Sequence, residues 1–461
     1  MKGLGLKRRL FLTLHRCCPT SSVCRIPRVY VCGESVNVSD GSSPSERRLN
    51  KLALIVSCAV VDGSAAQLAS NRSVLEELGV SNTLLSSTKC RQRSKIHEEV
   101  KDYYGKRLKQ TEDLVLNACV TPAKALAKHV HEALKDVHEK VSARYYGCGL
   151  VIPESLENCW ILDLGSGSGR DCYMLSKLVG EKGHVTGIDM TDGQIQLAKK
   201  FVDYHTKKFG FSKPNVDFLQ GYIENLGDVG LKDSTFDIII SNCVINLSPD
   251  KTAVLEEAYR VLKDGGEMYF SDIYADSELP ESIRKHKVLW GECLGGALSW
   301  KEFLKIVEKV GFSAPRLVSA TKVPMDNEEL QKLIDGYKFV SVTCRLFKIP
   351  AGTAREKSRV SYNGSIMGCT EKLEFDVNYT FNEGQTVVVD EETAAILNSS
   401  RFADDFTIQS LAKVSPGSAE CPPTESQAAA VVDPFQLSEK PAEGQNPSCA
   451  TACRTPSKGC C

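Results

Sequence analysis

The chain has 461 residues, with 57 Lys and Arg against 58 Asp and Glu, so it is long enough for two or three domains and carries almost no net charge. That balance offers no basic excess for a nucleic-acid footprint, and no apolar run approaches the ~20 residues of a transmembrane helix. Its 19 cysteines are odd in number and spread along the chain with no clear secretory signal, which argues for a reduced, intracellular protein over a disulfide framework.

The first 33 residues hold seven Lys or Arg and no Asp or Glu, with Ser, Thr and Leu between them. That composition resembles a weak mitochondrial presequence, and it equally fits an extension upstream of the true start. Residues 1–93 are therefore expected to be an atypical, disordered extension. Next, LNACVTPA (116–123) carries Cys119, and RYYGCGLVIPE (144–154) sets Cys148 between two glycines ahead of the first strand.

From 94 to 350, short β-rich runs alternate with segments of helical period, the signature of a parallel α/β sheet. CWILDLG (159–165), HVTGID (184–189), NVDFLQ (215–220), FDIIIS (236–241) and GEMYFSD (266–272) are five predicted strands. Runs around Arg316–Ala320 and Tyr337–Phe347 complete a seven-stranded, Rossmann-like sheet. In TAVLEEAYRVLKDGG, Val254, Leu255, Ala258, Val261 and Leu262 make one apolar helix face, with Gly265 and Gly266 as the expected stop.

WILDLGSGSGRD (160–171) carries the most information. A strand runs into Gly165, Gly167 and Gly169 and then into a helix, whose N–H groups would face a ligand. The spacing is not that of the dinucleotide fingerprint. Asp163 before the loop would repel a pyrophosphate but suit a cation. Asp189 ends the second strand, beside Met190, where an acid accepts hydrogen bonds from ribose hydroxyls. Together these favour S-adenosylmethionine over a nicotinamide dinucleotide.

Residues 159–272 resemble the class I S-adenosylmethionine-dependent methyltransferases. The resemblance implies that Asp163 and the three glycines lie against the methionine part and that Asp189 holds the ribose. GYIENL (221–226) is similar to the loop that edges the adenine, which nominates Ile223 and Glu224.

Where an O- or N-methyltransferase would need a base, this chain offers Ser241-Asn242-Cys243 at the end of the fourth strand. In HKVLWGECLGGALSW (286–300), Cys293 sits between Gly291 and Gly295-Gly296. Each thiol alone reads as a buried small hydrophobe, as Cys159 and Cys172 do. Grouped, the loop thiols Cys148, Cys243 and Cys293 converge where the methyl must emerge. Zinc sites favour paired ligands at short spacing, which these loops lack, and no His lies within four residues of any of the three. A scattered three-sulfur set fits a soft, trivalent, pyramidal acceptor such as arsenic.

Over roughly residues 94–410 the chain resembles the animal arsenite methyltransferases, in YYGCGLVIPE, ENCWILDLGSGSGRD, SNCVINL and HKVLWGECLGGAL. The resemblance implies that Cys148, Cys243 and Cys293 bind arsenic as a tris-thiolate. It also implies that Cys119 pairs with Cys148 as a disulfide during turnover, and that Tyr146 closes over the cofactor. The expected order is a cofactor domain (94–272), an arsenic-binding segment completing the sheet (273–350) and a small C-terminal α+β domain (351–410).

The implied substrates are arsenite and methylarsenite as thiol conjugates, with thioredoxin or glutathione as reductant, in the cytosol. Two alternatives stay open: a methyltransferase of a small organic acceptor such as a quinone precursor or sterol, and a thiol-rich arsenic-sequestering protein. In the C-terminal region, Leu373, Phe375, Val377, Tyr379 and Phe381 alternate with polar residues and predict one half-buried strand. Residues 411–461, rich in Pro, Ser, Ala and Glu and carrying Cys449, Cys453, Cys460 and Cys461 towards the end, are expected to be a disordered tail.

Overall fold

The computed structural model describes residues 29–31, 34–36, 95–107, 127–145, 149–324, 327–411 and 431–439. Residues 1–91 form one unit, in which Val29–Val31 pairs antiparallel with Glu34–Val36. The second unit, from Gln92 onward, carries everything below.

Its centre is a sheet of seven strands: β1 (Trp160–Leu164), β2 (His184–Asp189), β3 (Val216–Gln220), β4 (Phe236–Asn242), β5 (Leu262–Ala275), β6 (Arg316–Lys322) and β7 (Phe339–Phe347). The order across the sheet is β3-β2-β1-β4-β5-β7-β6. Strands β1 to β5 run parallel, and β7 lies antiparallel between β5 and β6. Leu298–Ser299 adds a two-residue eighth strand beside the end of β5. The order reverses between β1 and β4, so the carboxyl ends of these two strands open the ligand crevice of the fold.

Helices cover both faces, which is why Ile238, Ile239 and Ile240 of β4 are all buried. Helix α1 (Arg170–Val179) follows the glycine loop, and α2 (Asp192–Lys200) follows β2. Helix α3 (Lys251–Val261) is capped by the Asp250 side chain and buries Val254, Leu255, Ala258 and Val261, the face predicted from the sequence. Helix α4 (Trp300–Val310) opens with a reciprocal Ser299–Glu302 capping box. Among the described residues no helix is long and apolar enough to cross a membrane.

Two sequence expectations are corrected here. Gly265 and Gly266 do not stop α3, which ends at Val261; they lie inside β5, which runs fourteen residues. Gly265 is needed for another reason: its φ is +80°, and a Cβ there would stand 2.0 Å from the Ser399 carbonyl. Nor is 373–381 one strand. Lys372–Glu374 and Thr380–Asn382 pair antiparallel around a turn in which Asp376 accepts from the Asn378 and Tyr379 amides at 2.8 Å. Alternation survives the reversal: Leu373, Phe375, Tyr379 and Phe381 are buried, while Val377, at the turn, is 38% exposed.

The rest of this region is a three-stranded sheet with Ser358–Tyr362 between Thr386–Val389 and Phe406–Ser410, plus the helix Glu391–Ser399. It is joined to the large sheet by a buried ionic cluster. Glu267 on β5 accepts from Arg345 on β7 and forms an ion pair with Arg401, whose Nη1 lies at 2.5 Å. Arg401 also donates to the carbonyls of Glu154 and Ser155, at 2.8 and 3.1 Å. Within the segment expected to be a disordered tail, Pro434–Leu437 form a helical turn, with Phe435 and Leu437 packed on the main core.

Candidate active site

The glycine loop leaves β1 and is at once tied to β2. The amides of Gly165 and Ser166 both donate to the Ile188 carbonyl, at 2.8 and 3.0 Å. Gly165 has φ +75°, and a Cβ on it would lie 2.5 Å from Val244, so only glycine fits this close turn. Asp189 ends β2 with one oxygen taking the Gly167 amide at 3.0 Å and the other the Thr191 amide at 2.7 Å. Burial raises its pKa, and these two bonds hold part of that rise back.

Asp163 is buried beneath the loop and accepts the Cys172 thiol at 3.1 Å. Burial above all, then the neighbouring Asp171 charge, pushes its pKa up to about 7. At the far side of the crevice Glu224 is held by His97 Nε2 at 3.0 Å and Ser248 Oγ at 2.5 Å. Burial opposes its ionisation, yet these two bonds outweigh it and keep the pKa below the usual value. Both bonds go to Oε1.

The thiol side is built differently. Cys243 follows β4 with its amide on the Ser271 carbonyl at 2.8 Å, and Cys293 follows the short helix Lys287–Gly291. Both are left-handed, with φ of 56° and 64°, a conformation non-glycine residues adopt rarely and at a cost of about 1–3 kcal/mol. Surrounding bonds over-determine it: Asn246 Nδ2 donates to the Cys293 carbonyl at 3.3 Å and to Ile273 at 2.6 Å. The result brings two distant cysteines together: the Cys293 thiol donates to the Cys243 carbonyl at 3.0 Å. Both are at most 5% exposed.

One cavity joins the two sides. Its walls include Asp163, Gly165, Gly167, Asp189, Met190, Ile223 and Glu224 as well as Cys243 and Cys293. Ser166 and Gln194 also line it, and Ser166 Oγ and Gln194 Oε1 are buried with no hydrogen-bond partner among the described residues. Such orphaned groups, with several carboxylates around them, fit a polar, cationic ligand such as S-adenosylmethionine.

An arsenite methyltransferase of Homo sapiens is 58% identical over 347 residues, spanning 75% of this chain and 92% of that relative. The chain belongs to the arsenite methyltransferase family. The mouse arsenite methyltransferase is 55% identical, over 76% of this chain and 93% of its own length. The family described as "Methyltransferase domain" matches residues 155–311, and "Arsenite methyltransferase C-terminal domain" matches 355–461. Among solved structures, an arsenic(III) S-adenosylmethionine methyltransferase of Chlamydomonas reinhardtii is 44% identical with a TM-score of 0.60, covering 64% of this chain and all of that one.

Of the residues nominated from sequence, Gly169 stands back from the cavity lining. It caps α1, and a Cβ there would meet the Phe218 ring at 2.6 Å. Cys119, Tyr146 and Cys148 lie outside the described residues, but the chain on both sides of Tyr146 and Cys148 is held. Asn242 Nδ2 donates to the Tyr145 hydroxyl at 2.8 Å and the Gly149 carbonyl at 3.0 Å. Cys159 and Cys172 pack inside the fold as expected, and burial pushes Cys159 up to about 11. Sequence reading missed His97, Gln194, Ser248 and the clamping role of Asn242. A signal for the first existed: His97, Val100 and Tyr104 share one helix face and all three line the cavity.

Proposed function

We propose that this chain transfers methyl groups from S-adenosylmethionine to thiol-bound trivalent arsenic, giving mono- and then dimethylated products. The observation that carries the reading is the meeting of Cys243 and Cys293 in one cavity with the glycine loop and Asp189. Two left-handed cysteines are hard to explain as packing, since an ordinary buried thiol needs no strained backbone.

When bound, S-adenosylmethionine supplies an electrophilic methyl on a sulfonium. Asp189 and Glu224 hold its ribose and adenine, with Ile223 and Met190 packing alongside, and Asp163 offers a carboxylate to its positive end. Cys148, the third proposed ligand, joins Cys243 and Cys293. Each thiol proton leaves with an arsenic hydroxide as water, until three sulfurs hold the arsenic with its lone pair towards the methyl. The lone pair is the nucleophile, so no side chain need act as a base. Alignment of the two centres is the main contribution, and orientation of this kind supplies roughly 7–11 kcal/mol.

Methylation raises arsenic from the trivalent to the pentavalent state, and two electrons must return. In this reading the Cys119 thiolate attacks the Cys148 sulfur, the bond from that sulfur to arsenic breaks with its electron pair going to arsenic, and thioredoxin or glutathione reduces the resulting Cys119–Cys148 disulfide by exchange. Tyr146 closes over the cofactor. The chain works in the cytosol, with residues 94–272 binding cofactor, 273–350 carrying Cys293 and 351–410 bracing the sheet. The test is transfer of labelled methyl to arsenite in excess thiol, comparing the intact chain with Cys243→Ser. Labelled arsenic from the first and none from the second is expected. A folded, cofactor-binding chain that labels no arsenic would overturn the reading in favour of an organic acceptor.

A further inference from the structure

The helical segment 95–107 crosses the crevice and touches all three of its ligand-bearing loops. On the adenine side, His97 bonds Glu224 at 3.0 Å and lies over the Tyr222 ring at 4.5 Å, and Lys101 donates to the Tyr222 hydroxyl at 2.6 Å. On the ribose side, Gly105 sits so close to Thr191 that a Cβ would stand 3.1 Å from its methyl, and the Thr191 amide is one of the two that hold Asp189. On the arsenic side, the Tyr103 hydroxyl donates to the buried Glu292, the residue before Cys293. The Tyr103 ring packs so closely on Gly291 that a Cβ there would stand 3.2 Å from it, and Tyr104 donates to the Gly291 carbonyl at 2.8 Å. Residues Tyr103–Arg107 form a π-turn, a departure from α geometry that recurs at functional sites.

One short element thus bonds Glu224 and Glu292, the residue before Cys293, and packs against Thr191, whose amide holds Asp189. Ordering it against any one loop reduces what remains to be ordered at the others, which is a physical route to coupling between ligands. We infer that helix 95–107 links the cofactor and arsenic sites, with Tyr103 the positioning residue for Cys293 through Glu292 and His97 the positioning residue for Glu224. Filling the adenosine site then raises affinity for arsenic, and linkage requires the converse to the same degree.

This inference rests on the arsenic reading of Cys243 and Cys293, and its test separates the two. Equilibrium dialysis of the full chain measures arsenite affinity with and without saturating S-adenosylhomocysteine, and S-adenosylhomocysteine affinity with and without arsenite. The expected factor in the intact chain lies within the roughly 5–150-fold range of such couplings, and is the same in both directions. Tyr103→Phe, which keeps the ring on Gly291, should bring the factor close to one while each ligand still binds alone. His97→Ala should lower it too, and His97→Gln, which can still donate to Glu224, should restore it. No coupling in the intact chain, or full coupling in both Tyr103→Phe and His97→Ala, would overturn the inference. Arsenite binding that ignores Cys243→Ser and Cys293→Ser would instead overturn the arsenic reading itself.

Discussion

The two halves of the crevice position their side chains by different means. On the cofactor side the polar groups are set by strand ends and backbone amides: Gly165 and Ser166 on Ile188, and Asp189 on Gly167 and Thr191. On the thiol side the placement of Cys243 and Cys293 comes from contacts between segments fifty residues apart, in strained backbone. The first half is anchored on the ends of adjacent sheet strands. The second is only as precise as the loops that meet there, so single substitutions should separate binding of cofactor from transfer of the methyl.

The sharpest way to break the comparison is at the thiols. Cys243→Ser or Cys293→Ser should lower kcat/KM for arsenite by at least about 100-fold, equal to about 2.7 kcal/mol, with cofactor affinity retained. Steady-state kinetics beside S-adenosylhomocysteine dialysis checks it; parallel loss of both would mean the two halves are not separable. The fold beneath them should respond in a third way. Arg345 is fully buried against Glu267, and Arg345→Met leaves that carboxylate with Arg401 as its remaining partner. Breaking a buried pair costs about 3–5 kcal/mol, and thermal unfolding should show it without a matching change in cofactor affinity at lower temperature. On the cofactor side, Asp189→Ala removes an acceptor of charge-assisted bonds worth about 1.5–3 kcal/mol. It should weaken S-adenosylhomocysteine binding by roughly ten- to a hundredfold and leave arsenite affinity in the isolated chain nearly unchanged.

The same contrast explains what the sequence made legible. The glycine loop, Asp189 and all seven strands could be read because their signals are local: an apolar run, a glycine spacing, an acid at a fixed offset. Cys243 could be read as standing at a strand end, but not as sharing a hydrogen bond with Cys293, since nothing in either segment encodes the other. The hairpin at 372–382 was hidden because a tight reversal about Asp376 preserves alternation in the sequence. Gly265 looked like a helix stop because the Ser399 carbonyl that demands it is contributed from more than a hundred residues away. Phe435 was lost in a Pro- and Ser-rich composition that gives no periodicity.

The smallest effect is expected at Cys172, and it reads the cofactor side through pH. Asp163 has a folded-state pKa near 7, raised from the ordinary carboxylate value by burial. The folded, cofactor-free protein therefore holds this proton more tightly than the unfolded chain does, and the contribution of Asp163 to stability falls as pH rises through about 4 to 7. A cationic ligand wants the ionised form, so affinity for S-adenosylmethionine should rise with pH up to about 7 and fall by as much as tenfold per unit below it. Asp163→Asn should flatten that slope. The Cys172 thiol, 3.1 Å away, favours the ionised carboxylate, and removing it as Cys172→Ala should move the midpoint upward. At pH 8 the same variant should bind almost as the intact chain does, because the carboxylate is then ionised with or without the thiol. A midpoint that stays in place would mean that the bond does not act on Asp163, and that the buried thiol there only fills space.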